Sequence, residues 1–178
     1  HLAPALRAGA VIPNGVDHET YRPGPPPTSG GPAEFLFVGR FVEKKGIELL
    51  RRCMDLHGIR WTFVGDGPLS PSRWPTTPAP VRVLSGLRGA ELVPLYQQAH
   101  LLVLPSVGEG FPLVVQEALA CGTPVLISDE VEASFRMLDR DCVFTAHVAS
   151  SSDPVPALRA RLEALASDRT RLADARPK

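Results

Sequence analysis

The sequence predicts a doubly wound α/β domain built on a mostly parallel sheet, and three observations carry that prediction. Uninterrupted apolar runs, Phe35-Leu-Phe-Val38, Leu101-Leu-Val-Leu104 and Val125-Leu-Ile127, have the composition of strands buried on both faces. Segments with apolar residues at helical spacing lie between the runs. Loops at Gly39-Arg40, Gly65-Asp66-Gly67, Ser85-Gly86 and Pro105 to Phe111 follow strands, and open α/β sheets bind ligands outside the carboxyl ends of their strands.

The elements follow in order. Residues 1–32 are read as an opening segment and a Pro/Gly-rich linker. Val11-Ile-Pro-Asn-Gly-Val-Asp17 reads as extended chain closing in an Asn14-Gly15 turn, and 23–32 is too rich in proline and glycine for a regular element. The domain proper is read as 33–166. Phe35 to Val38 is the first strand, Glu43 to Leu56 a helix, and Trp61 to Val64 the second strand, which makes a right-handed parallel unit. Residues 68–80 hold too many prolines for a full helix, so that crossover is expected to be short or irregular. Val81 to Leu84 is the third strand, and Ala90 to Ala99 a helix with Pro94 in or near its first turn. Leu101 to Leu104 is the fourth strand. Pro112 suits the start of the next helix and Gly122 the left-handed position past its end, with Val114, Val115, Ala118 and Leu119 on the apolar side. Val125 to Ile127 is a further strand, Glu132 to Leu138 a short helix and Cys142 to Thr145 a short strand. Val155 to Ala166 is a helix with Asp153 as a cap, and 167–178 is a polar tail expected to fray.

The 178 residues, 44% hydrophobic, make about one ordinary core. Nineteen basic and nineteen acidic residues cancel, which argues against a dedicated nucleic-acid partner. No apolar run approaches the roughly 18–20 residues of a membrane span, and His1-Leu-Ala-Pro-Ala-Leu-Arg7 is not a signal peptide. Cys53, Cys121 and Cys142 share no close spacing, so they fit free thiols in a reducing, cytoplasmic setting. The histidines at 1, 18, 57, 100 and 147 have no metal-binding spacing, and no metal or cofactor is assigned. The lack of an initiator Met suggests a piece of a longer chain. Trp61 and Trp74 are read as packing residues.

Four charged residues fall at the ligand edge, three in its loops and one on the helix that follows. Arg40 follows the first strand directly and Lys45 lies in the same turn. A guanidinium fork and a compact ammonium together suit a diphosphate. Glu109 lies in the loop before the Pro112 helix, and at ~1.5 Å per residue Glu117 stands about 7–8 Å along that helix from Pro112. The helix start is an anion site, but an ionised carboxylate accepts hydrogen bonds only, so both glutamates must face donors such as sugar hydroxyls.

Gly39-Arg40 with Glu43-Lys-Lys-Gly46, Val64-Gly-Asp-Gly-Pro68, Pro105-Ser106 with Glu109-Gly-Phe-Pro112, and Glu117-Ala-Leu-Ala-Cys-Gly-Thr-Pro-Val125 resemble the carboxy-terminal, donor-binding domain of GT-B fold, family-four-type retaining glycosyltransferases. The resemblance covers about residues 10–166 and implies a Rossmann-like second half of a GT-B fold. It implies that Arg40 and Lys45 bind the donor diphosphate, Glu109 the hydroxyls of the transferred sugar, and Glu117 the ribose diol. It places backbone at Gly39, Gly110, Phe111 and Leu113 near phosphate and sugar, and the Gly86-Leu87 loop near the nucleobase. The donor would be a nucleoside diphosphate sugar, used without metal. The acceptor would be held by an amino-terminal domain that these residues lack, and any peripheral membrane contact would come through that half. The Pro-rich 68–80 segment, the absence of a glycine-rich turn in 129–141 and the missing closing helix depart from the family pattern. Two other readings are a non-catalytic nucleotide or nucleotide-sugar binding module, and a nicotinamide dehydrogenase. The second lacks G-x-G-x-x-G after the first strand.

Overall fold

A computed structural model describes residues 14–28, 30–75, 77–134 and 140–177. The sequence readings at His1 to Arg7 and at Val11 to Pro13 lie outside these residues. Among these residues six strands form one sheet: β1 (Ala33–Val38), β2 (Ile59–Val64), β3 (Val81–Leu84), β4 (Leu101–Leu104), β5 (Val125–Ser128) and β6 (Val143–Ala146). Their order is β3-β2-β1-β4-β5-β6, and every pairing is parallel. All four residues of both β4 and β5 are buried, whereas the edge strand β3 is only half covered. The winding reverses between β1 and β4, the place where doubly wound sheets open a crevice.

The helices are α1 (Ile47–Arg51), α2 (Val93–Gln98), α3 (Leu113–Ala120), α4 (Asp129–Ser134), α5 (Val155–Ser167) and α6 (Arg169–Asp174). Pro94 sits in the first turn of α2, and α3 ends before Gly122, as predicted. Among its described residues, the 68–80 crossover holds a 3-10 turn at Pro71–Arg73 and no other helix. One aromatic row fills the β1–β2 side of the core: Trp61 stacks on Phe63 at 5.4 Å, and Phe35 and Trp74 meet them edge-on. Both tryptophans are therefore packing residues. Burial pushes the Cys53 and Cys121 thiols up to about 11, and no disulfide links the three cysteines.

Five expectations need correction. The single helix over 43–56 is a 3-10 turn at Glu43–Lys45 followed by five-residue α1, because Gly46 between them is left-handed at φ 75°. The opening turn is set by Asp17 rather than by Asn14-Gly15. The Asp17 carboxylate accepts from Glu19 N and Thr20 Oγ1, and its carbonyl accepts from Tyr21 N. The helix expected over 132–138 begins earlier, at Asp129, because the Ser128 hydroxyl accepts from Val131 N and acidic residues crowd the first turn; residues 135–139 lie outside the described ones. The strand expected at 142–145 starts one residue later, with Cys142 closing a 3-10 turn. The tail is not frayed: α6 is capped by Asp168, which accepts from Arg171 N, and it buries Leu172 and Ala175. Arg176 then donates to the carbonyls of Ala99 and Gln97.

This tail packs on a buried histidine. His100 accepts from Glu34 N at Nδ1, leaving its Nε2 proton for the Thr28 carbonyl, and the Arg169 guanidinium lies against the ring. Burial, with the charges of Arg169 and Arg176, lowers its pKa to about 4 from 6.5. The unfolded chain takes up a proton below about 6.5 that the folded one refuses down to about 4. Stability is therefore expected to fall between those pH values, by on the order of 2 kcal/mol. Urea titrations from pH 7 to pH 4 check this: the slope should flatten in His100→Gln, and an equal slope would refute it. The window is separable from that of Asp129. Burial there works to raise the carboxyl, but hydrogen bonds from Ser150, Ala149 and Val148 outweigh it and hold it at about 2.

Candidate functional site

Two loops meet at the β1–β4 switch point, and backbone contacts lock them. Val107 N donates to the Lys44 carbonyl at 2.8 Å. A Cβ at Gly46 would stand 2.4 Å from the Pro105 carbonyl oxygen, so only glycine lets the chains approach this closely. The loop after β2 leans on the first from the other side: a Cβ at Gly65 would fall 2.0 Å from the Gly39 oxygen, and Phe41 N donates to the Asp66 carbonyl. Gly65-Asp66-Gly67 thus admits protein backbone. The stem of Lys45 then passes Gly39, where a Cβ would lie 3.8 Å from its Cδ and Cε.

That path brings Lys45 Nζ to 2.6 Å from Glu109 Oε1, across 60-odd residues of sequence, with the two side chains only 15% and 13% exposed. Both line a cavity of about 370 Å³ with Gly108, Gly110, Phe111, Pro112, Leu113 and Val114. The other carboxylate oxygen, Glu109 Oε2, is buried and has no hydrogen-bond partner among the described residues. Such an atom is costly unless a donor reaches it. The cavity also receives the start of α3, where Pro112 supplies no side-chain cap to the first-turn amides. Cation, acceptor oxygen and helix start thus share one cavity.

The loop is braced from β5 and α4. Ser128 donates to the Ser106 carbonyl at 2.6 Å, and Gly108 N donates to Glu130 Oε1 at 3.0 Å. Neither Ser128 nor Glu130 was singled out in the sequence, and no local pattern marks them, since both act across about 22 residues.

The other candidates are placed nearby with different roles. Arg40 is exposed at the end of β1, and its side chain makes no ion pair among the described residues. Gly86, left-handed and open, and half-buried Leu87 follow β3 at the same edge of the sheet. Neither they nor Arg40 line the Lys45–Glu109 cavity. Glu117, half-buried on α3, accepts a 2.7 Å hydrogen bond from Tyr96. Both glutamates therefore face donors, as their chemistry requires, and in this structure the donors are a lysine and a tyrosine. A larger groove, about 470 Å³, lies at the opposite, amino-terminal half of β1–β3. It holds none of these residues, and its Arg60 is neutralised by Glu34 at 2.5 Å.

Residues 32–168 match the family described as "Glycosyl transferases group 1". The glycogen synthase of Mycobacterium tuberculosis is 34% identical over 138 residues, which covers 72% of this chain and 33% of that protein. The chain thus spans about a third of that relative's length. Among solved structures, sucrose-phosphate synthase from Thermosynechococcus elongatus superposes with a TM-score of 0.74 at 24% identity, over 95% of this chain and 46% of that one. Anabaena HepE, solved in complex with UDP-glucose, superposes at 0.65 with 18% identity, over 91% of this chain and 50% of that one. At such identities the likeness concerns the fold, and the six-stranded, Rossmann-like sheet is the one found in GT-B glycosyltransferase structures. With more than half of its residues inside the family match, the chain belongs to the group 1 glycosyltransferases.

Proposed function

We propose that this domain binds a nucleoside diphosphate sugar at the carboxyl edge of its sheet. Joined to an acceptor-binding domain on its amino-terminal side, it serves the transfer of a hexose to an acceptor hydroxyl with retention of configuration. The observation that carries the reading is the cavity at the switch point, where Lys45, Glu109 with its unpartnered oxygen and the uncapped start of α3 converge. Family membership and the UDP-glucose bound by HepE support the same class of donor.

The roles follow from charge. The diphosphate is met by Lys45, by the exposed fork of Arg40 and by the amides of Gly110, Phe111 and Leu113 at the helix start. Negative charge grows on the diphosphate as its bond to the sugar breaks, and these fixed positive groups stabilise it in the role a divalent ion fills elsewhere. Glu109, released from Lys45, accepts hydrogen bonds from sugar hydroxyls and orients the hexose; it is not assigned as a nucleophile. Glu117 accepts from the ribose diol, and the Gly86-Leu87 backbone lies beside the base. The site needs no metal on this reading, and the absence of disulfides fits a reducing, cytoplasmic setting.

Calorimetric titration of this chain with UDP, GDP and ADP, and then with their glucose and mannose conjugates, tests the reading. One nucleotide should bind, EDTA should leave its affinity unchanged, and Glu109→Gln should weaken the sugar conjugate relative to the bare nucleotide. Binding of none, or an unchanged ratio, would overturn it. In the enzyme that carries this domain, NMR of the fresh product should show the donor's anomeric configuration.

A further inference from the structure

The carboxylate of Glu117 is built into a buried group of aromatic residues. Tyr96 donates its hydroxyl to Glu117 Oε2 at 2.7 Å. The Tyr96 ring is fully buried, and its carbonyl accepts from the hydroxyl of Thr123, itself fully buried in the Cys121-Gly-Thr-Pro124 turn. Tyr21 meets the Tyr96 ring edge-on at 6.3 Å. Tyr21 belongs to the opening segment, where the Asp17 turn holds its backbone. Tyr21 and Thr123, from two other stretches of chain, thus converge on the tyrosine that holds one half-buried glutamate.

We propose that Tyr96, backed by Tyr21 and Thr123, is a positioning residue that orients Glu117 for a ribose diol and so sets the preference for ribonucleotides over deoxyribonucleotides. The inference rests on Glu117 as the ribose-binding carboxylate of the function proposed above. A half-exposed glutamate on a helix has three rotatable bonds and loses that freedom when it binds a diol. A phenol fixed on Oε2 removes much of that freedom in advance, which is the general basis of preorganised recognition. An ionised carboxylate has about four lone-pair sites, so even with the Tyr96 and Tyr21 phenols facing it, room remains for two ribose hydroxyls.

The phenols are suited to remain donors. Burial and the negative charge of Glu117 raise the Tyr96 hydroxyl well above its usual range, and the same two causes push Tyr21 up to about 12. Neither ionises near neutral pH, so neither repels the carboxylate it faces.

The test compares the tightest binder among UDP, GDP and ADP with its 2′-deoxy analogue, by calorimetry, in the wild-type chain and in Tyr96→Phe, Tyr21→Phe and Glu117→Gln. The wild type should prefer the ribonucleotide by on the order of tenfold. Glu117→Gln should abolish the preference. Tyr96→Phe should reduce it to about two- to threefold, with the ribonucleotide losing more affinity than the deoxy analogue, which keeps only its 3′ hydroxyl for Glu117, and Tyr21→Phe should have a smaller effect in the same direction. A ratio that falls in Glu117→Gln but stays at the wild-type value in Tyr96→Phe would overturn the positioning role alone. Tyr96 would then merely tie α2 to α3, and its variant would lose melting temperature without losing selectivity. A ratio unchanged by Glu117→Gln would overturn the ribose reading, and this inference with it.

Discussion

Lys45→Ala is expected to weaken nucleoside diphosphate binding by roughly 10–100-fold while leaving binding of the bare nucleoside unchanged. Among the described residues, the ammonium is the one cation lining the cavity at the start of α3, and it is mostly buried there. A charge-assisted hydrogen bond in such a setting is worth about 1.5–3 kcal/mol, which is that range of affinity. In the intact enzyme the same substitution should lower kcat by ~10²–10³, because the lost charge matters most as the diphosphate departs. The companion substitution has the opposite sign for one ligand. Glu109 engages Lys45 at 2.6 Å, so a diphosphate must displace a carboxylate to reach the ammonium. Glu109→Gln removes that competitor, and the preferred nucleoside diphosphate alone should bind several-fold more tightly while its sugar conjugate gains less or loses. Calorimetry on both variants decides the matter. If Lys45→Ala binds the diphosphate like the wild type, the cation has no part in donor binding.

The second large effect concerns the joint between the two loops. Gly46 combines φ 75° with a backbone contact that leaves no space for a side chain, the nearest atom to a Cβ being a carbonyl oxygen at 2.4 Å. The left-handed conformation costs a non-glycine residue about 1–2 kcal/mol, and overpacking adds about 1–3. Gly46→Ala is therefore expected to lose about 3 kcal/mol, read as a lower urea midpoint with an unchanged slope, or a melting temperature lower by about 6–12 °C. The damage should also reach the site. Lys45 precedes this glycine, and the loop that must move, Pro105 to Pro112, carries Glu109. Diphosphate affinity in folded Gly46→Ala should thus fall along with stability. A loss below about 0.5 kcal/mol would mean that the loops yield easily and that their contact does not hold the site.

The strands were legible because each is a local fact of composition. Leu101 to Leu104 and Val81 to Leu84 coincide with β4 and β3, and the expected positions of Pro94 and Gly122 follow from backbone chemistry alone. Two of the misreadings come from contacts between residues far apart in the sequence. Apolar residues at helical spacing run from Ile47 to Met54, but the chain abandons a continuous helix at Gly46 because that glycine is needed against Pro105, 59 residues away. The tail looked polar because its few buried groups, Leu172 and Ala175, are too sparse for a periodic signal, while Arg176 finds its carbonyl partners at the carboxyl end of α2.

For the site, the amino-acid order alone determined which chemistry was present: two cations and a carboxylate in loops at the carboxyl edge of a parallel sheet, and a second carboxylate on the helix that starts beside them. Residue types and their distance from strand ends are local properties, so one dimension suffices to read them. Only the tertiary structure decided the pairing. Lys45 contacts Glu109, Arg40 stands apart in solvent, and Glu117 is held by Tyr96, with Tyr21 and Thr123 behind it. Those contacts join residues 21 to 75 apart in the chain by way of loop closure and strand order, and a side chain carries no mark of which distant neighbour the sheet will bring to it.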